Sequence, residues 1–213
     1  MKVVQLAEQV LEIQFATFPS EQLSRQLRQL KQQLEMLQPA GFQECLPAYT
    51  TLTVFFQGEV HVMKDALTEI WKQLDQVLLP EPHIHQIPVC YAPEFALDMP
   101  EVCFHTGLKA SEVIELHSSI TYTVQMLGFM PGFPYLSGLD ARLIVPRKNV
   151  PRLKVQAGSV GLAGQQTGIY PLDLPGGWQI IGRTSVQLFD LLRTPPMLFT
   201  AGDGIKFEPV LSL

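Results

Sequence analysis

Apolar and polar residues alternate in VLEIQF, which puts Leu11, Ile13 and Phe15 on one face of an extended chain. The strand this predicts is broken at Pro19-Ser20, and Ser20 stands where it can cap a following helix. Leu23, Leu27, Leu30, Leu34 and Leu37 then recur at spacings of four and three, one apolar stripe along a helix. A coiled-coil seam has the same pattern, but about two to three heptads are short for one, so core packing is favoured. Pro39, Ala40 and Gly41 end the helix. Residues 42–46 read as a short strand, Pro47-Ala48 as a turn, and residues 49–57 (YTTLTVFFQ) as a β-rich run. After Gly58, the spacing of Met63, Leu67, Ile70, Leu74 and Val77 predicts a second helix, stopped by Pro80 and Pro82. Residues 83–90 can form another strand. The order β-α-β-β-α-β is that of a split βαβ, or ferredoxin-like, sandwich with both helices on one face of an antiparallel sheet.

Residues 101–117 (EVCFHTGLKASEVIELH) predict two short helices flanking Thr106-Gly107, with Ser111 near the start of the second. A DNA-reading helix-turn-helix has this outline, but its second helix needs basic and amide side chains. Here it carries Glu112 and Glu115, with Lys109 nearby, so Val113, Ile114 and Leu116 are expected to pack against a sheet instead. From Ser118 the pattern changes. ITYTVQMLGF alternates as a strand, and RLIV, RLKV, SVGLAG, WQIIG and GIKFEP follow as short segments broken by Gly and Pro. Many short strands between turn signals predict a barrel or sandwich. The expected organisation is an α+β unit over residues 1–84 and a mainly-β barrel over residues 85–213.

At about 100–200 residues per domain, 213 residues allow one large unit or two small ones. Charge is sparse: 16% of residues are charged, against about 25% in most globular chains. The net charge of −5 argues against a general nucleic-acid binder, which needs a basic footprint. No run approaches 18 consecutive apolar residues, and Glu8 and Glu12 interrupt the N-terminal stretch, which therefore lacks the form of a signal peptide. Cys45, Cys90 and Cys103 are odd in number and widely spaced, as expected of buried thiols in a reducing compartment, with the cytoplasm as the default. Residues 1–127 carry 15 acidic and 7 basic side chains, whereas residues 128–182 carry 2 acidic and 5 basic ones together with 10 of the 15 glycines. A glycine-rich, locally basic segment can receive an anion; turns with solvated cations would look the same.

The candidate chemistry lies in that segment. Phe129, Phe133 and Tyr135 in FMPGFPYLSGL can line a pocket wall or plug the end of a barrel. Arg147 and Arg152 in PRKNVPR have the planar fork that suits carboxylate and phosphate oxygens, or are solvated loop charges. In residues 157–171 (AGSVGLAGQQTGIYP), the backbone around Gly158, Gly161, Gly164 and Gly168 can cradle an acyl or phosphoryl oxygen with Ser159, Gln165, Gln166 and Thr167. A series of tight β-turns is the alternative. No GxxxxGK[ST], no GxGxxG between strand and helix and no G-x-S-x-G is present. His83 and His85 can point the same way from a strand but lack zinc-like companions, and Cys103 and His105 read as packing and cap residues. His117, at a helix end, is the histidine to consider as an acid–base group, with helix capping as its alternative.

HTGLKASEVIELHSS, YTVQMLGFMPGFPYLSGLD, the two Pro-Arg pairs at 146–147 and 151–152, AGSVGLAGQQTGIYPLDLPGGWQIIGRT and GDGIKFEP together resemble the B-subunit family of bacterial 5-oxoprolinase. That family also covers an inhibitor of a sporulation histidine kinase and a small allophanate-hydrolase-related subunit. The resemblance spans nearly the whole chain and is most specific over residues 105–184. It implies a cyclophilin-like β-barrel behind an α+β domain. It further implies two partners, a TIM-barrel-like A subunit, and a larger C subunit, in an enzyme that opens 5-oxo-L-proline to L-glutamate using ATP. Mg²⁺ is expected with the ATP, at a site shared with a partner. Arg147, Arg152, His117 and Gln166 are then the expected catalytic groups. Phe129, Gly132, Phe133, Gly158, Ser159, Gln165, Thr167 and Tyr170 are the expected substrate- and ATP-binding groups, with no metal ligand assigned. The other activities the resemblance allows are inhibition of a sensor histidine kinase and carboxyl transfer on a urea-like substrate. The family's Gly-Gly-Glu-Phe-Gly-Pro-Asp-Leu stretch stands here as residues 92–99 (APEFALDM), which retain Glu94, Phe95 and Asp98 but not the glycines and proline.

Overall fold

The leucine stripe forms helix α1 (Glu21–Leu37), and the hydroxyl of Ser20 caps it by accepting a hydrogen bond from the Leu23 amide at 3.1 Å. Leu23, Leu27, Leu30 and Leu34 are buried, whereas Leu37, in the last turn, is exposed. Helix α2 (Val60–Lys72) buries Met63, Leu67 and Ile70, and Leu74 continues the same apolar face just beyond it. The computed structural model describes residues 2–15, 20–74 and 78–213, so the expected roles of Pro19 and Val77 fall outside the described residues.

Both helices lie in the first of two units, Met1–Glu81, and the second is Pro82–Leu213. Strands β1 (Lys2–Ala7), β2 (Val10–Gln14), β3 (Phe42–Pro47) and β4 (Thr51–Phe56) form an antiparallel sheet in the order β1-β2-β4-β3. Leu11, Ile13, Leu52, Val54 and Phe56 alternate along β2 and β4 and pack into the core that α1 and α2 complete. One element differs from expectation. The strand beside β2 is β1, supplied from the N-terminus, and the strand expected at residues 83–90 belongs to the second unit. The observed order is thus β-β-α-β-β-α.

In the second unit a closed barrel runs β10-β7-β6-β13-β5-β12-β9. Its strands are β5 (Ile84–Cys90), β6 (Thr121–Leu127), β7 (Pro134–Ser137), β9 (Ser159–Ala163), β10 (Gln166–Ile169), β12 (Gln179–Arg183) and β13 (Gly204–Val210). Strands β8 (Arg152–Val155) and β11 (Leu174–Gly176) pair separately as a ribbon. β13 lies parallel to β5 and antiparallel to β6. Helices α3 (Met99–Thr106) and α4 (Ala110–Ser119) flank Gly107, whose positive φ of 72° forms the left-handed cap that ends α3. Val113 is buried, and Ile114 and Leu116 pack on the barrel core, the packing role read from the sequence. All three cysteines are free; Cys45 and Cys90 are buried, and burial pushes the Cys45 thiol up to about 11. Among the described residues no helix is long and apolar enough to cross a membrane.

Candidate functional site

Asp98, at the start of α3, is almost fully buried, and three elements converge on its carboxylate. Arg152 on β8 makes a two-bond fork to it, Nη1 to Oδ2 and Nη2 to Oδ1, both at 2.7 Å. Lys148 Nζ reaches Oδ1 at 2.9 Å and Glu101 Oε2 at 2.7 Å, and the Ile180 amide donates to Oδ2 at 2.7 Å. Burial alone would raise the Asp98 pKa, but these hydrogen bonds, that of Arg152 foremost, outweigh it and hold the carboxyl below the ordinary carboxylate range. Gln179 continues the network, donating from Nε2 to Glu101 Oε1 at 3.1 Å and to the Pro146 carbonyl at 3.2 Å. The Arg152 fork is therefore engaged inside the fold, and its two terminal nitrogens hold α3 to the ribbon.

The glycine tract has a different job from the one its composition invites. The Gly158 amide donates to Tyr170 O at 2.7 Å, that of Ser159 to Gln156 O at 3.1 Å and that of Gly164 to Val145 O at 2.8 Å. These amides are not turned toward a ligand. Gly161 and Gly168 face each other across β9 and β10, and a Cβ on either would press within 3.1 Å of Trp178. Gly161 leaves room for the Trp178 Cβ and the Ile180 side chain, and Gly168 for the Pro134 carbonyl and the edge of the indole. Gln165 is exposed at the β9–β10 turn, and Gln166 is half-buried at the start of β10.

Trp178 belongs to an aromatic cluster. Phe133 lies 4.9 Å from Tyr135, 5.3 Å from Tyr170 and 5.5 Å from Trp178, centroid to centroid. Phe129 meets Phe133 edge-on at 5.8 Å but is itself 60% exposed. The Met130 amide donates to the Gly128 carbonyl at 2.8 Å, closing a γ-turn in which Phe129 takes a positive φ of 67°. That conformation is rare for a side chain larger than glycine and stores local strain. Gly132, also at positive φ, completes the turn against Leu188 and Phe189. Burial raises the Tyr135 and Tyr170 hydroxyls, and the positive field of exposed Arg147 opposes it at both, which sets Arg147 beside this cluster.

His117 lies elsewhere, fully buried on the barrel side of α4. Thr167 Oγ1 donates to Gly161 O at 3.0 Å, so it accepts from His117 Nε2 at 2.9 Å. Nδ1, 2.8 Å from the Tyr91 hydroxyl, then accepts from it. The ring stacks on Phe207 at 4.5 Å, and burial pushes its pKa down to about 3. The residues around it fix a neutral imidazole with both nitrogens bonded inside the core, which leaves it neither a free lone pair nor a path to solvent. The helix-end histidine of the sequence is thus neither an exposed cap nor an open acid–base group. Thr167 is the partner that holds it.

A cleft of about 340 Å³ opens between the 94–97 loop, β8 and the β9–β12 edge. Arg152, Lys154, Ser159 and Arg183 line it, with Phe95 among its apolar walls. Of the expected site residues it unites Arg152 and Ser159; the aromatic cluster unites Phe129, Phe133, Tyr170 and Arg147. Arg183 and Lys154 were not singled out by sequence. The Arg in GRT ends a strand with no local motif, and its approach to residues 156–157 depends on β12 pairing with β9. His83 and His85 do face one another, edge to face at 4.3 Å, but His85 Nε2 is 3.1 Å from Asp203 Oδ2 and no group of three or more metal-ligating side chains forms among the described residues.

The architecture and sequence of this barrel unit and the unit before it recur in known proteins. The family model for the carboxyltransferase domain, subdomains C and D, matches residues 1–199. The 5-oxoprolinase B subunit of Bacillus subtilis (strain 168) is 39% identical over 97% of this chain and 91% of its own length. The chain belongs to the 5-oxoprolinase B-subunit family. The family's Escherichia coli O157:H7 member is 45% identical over 78% of this chain and 77% of its own length. Among solved structures, TTHA0988 superposes with a TM-score of 0.83 at 34% identity, over 94% of this chain. The present chain spans only 39% of that longer chain.

Proposed function

We propose that this chain is a non-autonomous subunit of an ATP-dependent 5-oxoprolinase, which opens 5-oxo-L-proline to L-glutamate. The similarity to the Bacillus subtilis 5-oxoprolinase B subunit over 97% of the chain carries the reading. A lactam is a stabilised amide, and its opening in neutral water needs activation of the amide oxygen followed by attack of water on the carbon. Such a reaction calls for donors at the developing oxyanion and cations around the transferred phosphoryl group. In our reading ATP and its Mg²⁺ sit at a surface completed by two partners, a TIM-barrel-like A subunit, and a larger C subunit. The bonded amides of the glycine tract support a shared rather than a self-contained nucleotide site. Arg147, exposed and with its charge felt at Tyr135 and Tyr170, is the cation we assign to that surface. The free cysteines suit the cytoplasmic setting in which we expect the complex to work. We further assign the barrel to the cyclophilin-like kind and the first unit to a ferredoxin-like sandwich with its edge strand drawn from the N-terminus.

Reconstitution tests this. The chain alone, with its larger partner, and with both partners together should release glutamate from 5-oxoproline and ATP only in the full mixture. Full activity without this chain would sink the proposal. The carboxyltransferase description of the family model favours carboxyl transfer as a second reading. That reading requires a biotin-dependent partner and a urea-like substrate, and carboxylation of such a substrate by the reconstituted mixture would select it.

A further inference from the structure

Three basic side chains line the 340 Å³ cleft, but they are not equivalent. Arg152 is forked onto Asp98, and Lys154 Nζ is 2.8 Å from Asp173. Arg183 has no carboxylate bonded to it among the described residues. Its Nε donates to Ala157 O at 3.0 Å, its Nη1 donates to Gln156 Oε1 at 2.9 Å, and its guanidinium lies 6.0 Å from the Phe95 ring centroid. Two neutral acceptors and an aromatic face thus hold the group in place, and the Asp173 carboxylate feels its charge without bonding to it. Nη2 bonds to none of the described residues and keeps both its hydrogens. The Ser159 hydroxyl, on a buried residue of the same lining, likewise has no hydrogen-bond partner among the described residues.

A preorganised guanidinium with a free edge, next to a free hydroxyl, is the arrangement that receives a carboxylate. The charge count selects the size of the anion. Asp98, Asp173 and Glu94 together balance Arg152, Lys154 and Arg183, so the cleft is near neutral overall, and among its lining cations Arg183 is the one without a bonded carboxylate. A triphosphate would find too little charge there, whereas a small monocarboxylate needs only Arg183.

We infer that this cleft is a carboxylate site, with Arg183 and Ser159 as its binding residues, and that it takes the carboxylate of a small ring acid rather than the nucleotide. The identity of that acid, 5-oxoproline, rests on the function proposed above; the site itself does not. Arg152 and Asp98 act as positioning residues, fixing the cleft wall.

Calorimetric titration of the full chain tests the site apart from turnover. The probes are 5-oxoproline, 2-pyrrolidinone (the same lactam without the carboxylate) and ATP. 5-Oxoproline should bind at least about tenfold more tightly than 2-pyrrolidinone, and Arg183→Met should remove that difference. Ser159→Ala, which deletes a single oxygen, should weaken 5-oxoproline about two- to fivefold and serves as the test if Arg183→Met does not fold. Equal binding of the two lactams, binding of 5-oxoproline unchanged by either variant, or no heat at millimolar 5-oxoproline would overturn the inference. Competitive displacement of 5-oxoproline by ATP would overturn the exclusion of the nucleotide. Failure of the reconstituted complex to release glutamate, with tight carboxylate binding retained, would instead overturn only the proposed reaction.

Discussion

The core of the N-terminal unit is built from leucine, isoleucine, valine, phenylalanine, methionine and Cys45, and the polar side chains buried there, Ser24 and Gln29, both sit on α1. The barrel unit, by contrast, buries Asp98, His117, Ser159, Thr167 and Gln179 among its apolar residues. Aliphatic contacts are non-directional and tolerate substitutions that keep volume. Buried polar groups need particular partners at particular angles, and removing one leaves another unsatisfied. The first unit is thus specified by pattern, and the second by individual atoms. This difference puts the buried polar groups able to position a ligand in the barrel unit.

The sharpest way to break this comparison is Asp98→Ala. It strands the Arg152 guanidinium and frees the Ile180 amide, and should cost about 3–5 kcal/mol in urea unfolding of the barrel unit. Leu30→Ala should cost about 2–5 kcal/mol through the cavity it leaves in the first unit. Leu30→Met should cost less than about 1.5 kcal/mol, because volume is nearly kept. A Leu30→Met cost as large as that of Asp98→Asn would erase the distinction between the two cores.

Acid sharpens the same contrast. The folded pKa of His117 is depressed to about 3 from the ordinary histidine value of 6.5, so the unfolded chain takes up its proton first as pH falls. The stabilisation is complete above pH 6.5 and is lost progressively toward pH 3, by at most about 1.4 kcal/mol per pH unit. His117→Gln should flatten that part of the barrel unit's stability profile, measured by near-ultraviolet circular dichroism during acid titration. The carboxyl of Asp98 adds its loss at lower pH, since its folded pKa is also depressed. The smallest effect is expected for Ser20→Ala, which removes the α1 cap at about 1 kcal/mol and should leave carboxylate binding by the full chain unchanged.

Much of the first unit was legible because its information is local. The leucine spacing, the Ser20 cap and the β-rich run of residues 49–57 each state their own structure. The error at residues 83–90 came from the same reliance on neighbours. That stretch reads as a strand, and it is one, but its partners are β12 and β13, far later in the chain, and nothing within it says which sheet it joins. β1 went unread because it is a mostly exposed edge strand with little apolar alternation. The site was legible only in part. Arginines and glycines announced themselves by type, but whether a fork points at substrate or at Asp98 depends on a contact between α3 and the ribbon. The glycine tract was harder still: Gly161 and Gly168 serve as space for Trp178, a requirement visible only once β9 and β10 are paired. Arg183 was missed for the converse reason, since its value lies in having no acid bonded to it.

The pairing of β13 with both β5 and β6 also bears on how the protein is made. A chain emerging from the ribosome N-terminus first completes every element of its α/β unit by residue 74, and each of those contacts is available at once. The barrel has no such freedom. β5 and β6 expose unpaired edges until residues 204–210 leave the exit tunnel. At about 5–20 residues per second, that wait lasts several seconds, a window in which the open edges are vulnerable to aggregation. A stop codon before residue 204 should therefore yield a folded first unit carrying a sticky, unclosed sheet, so that the last strand acts as the latch of the whole second unit.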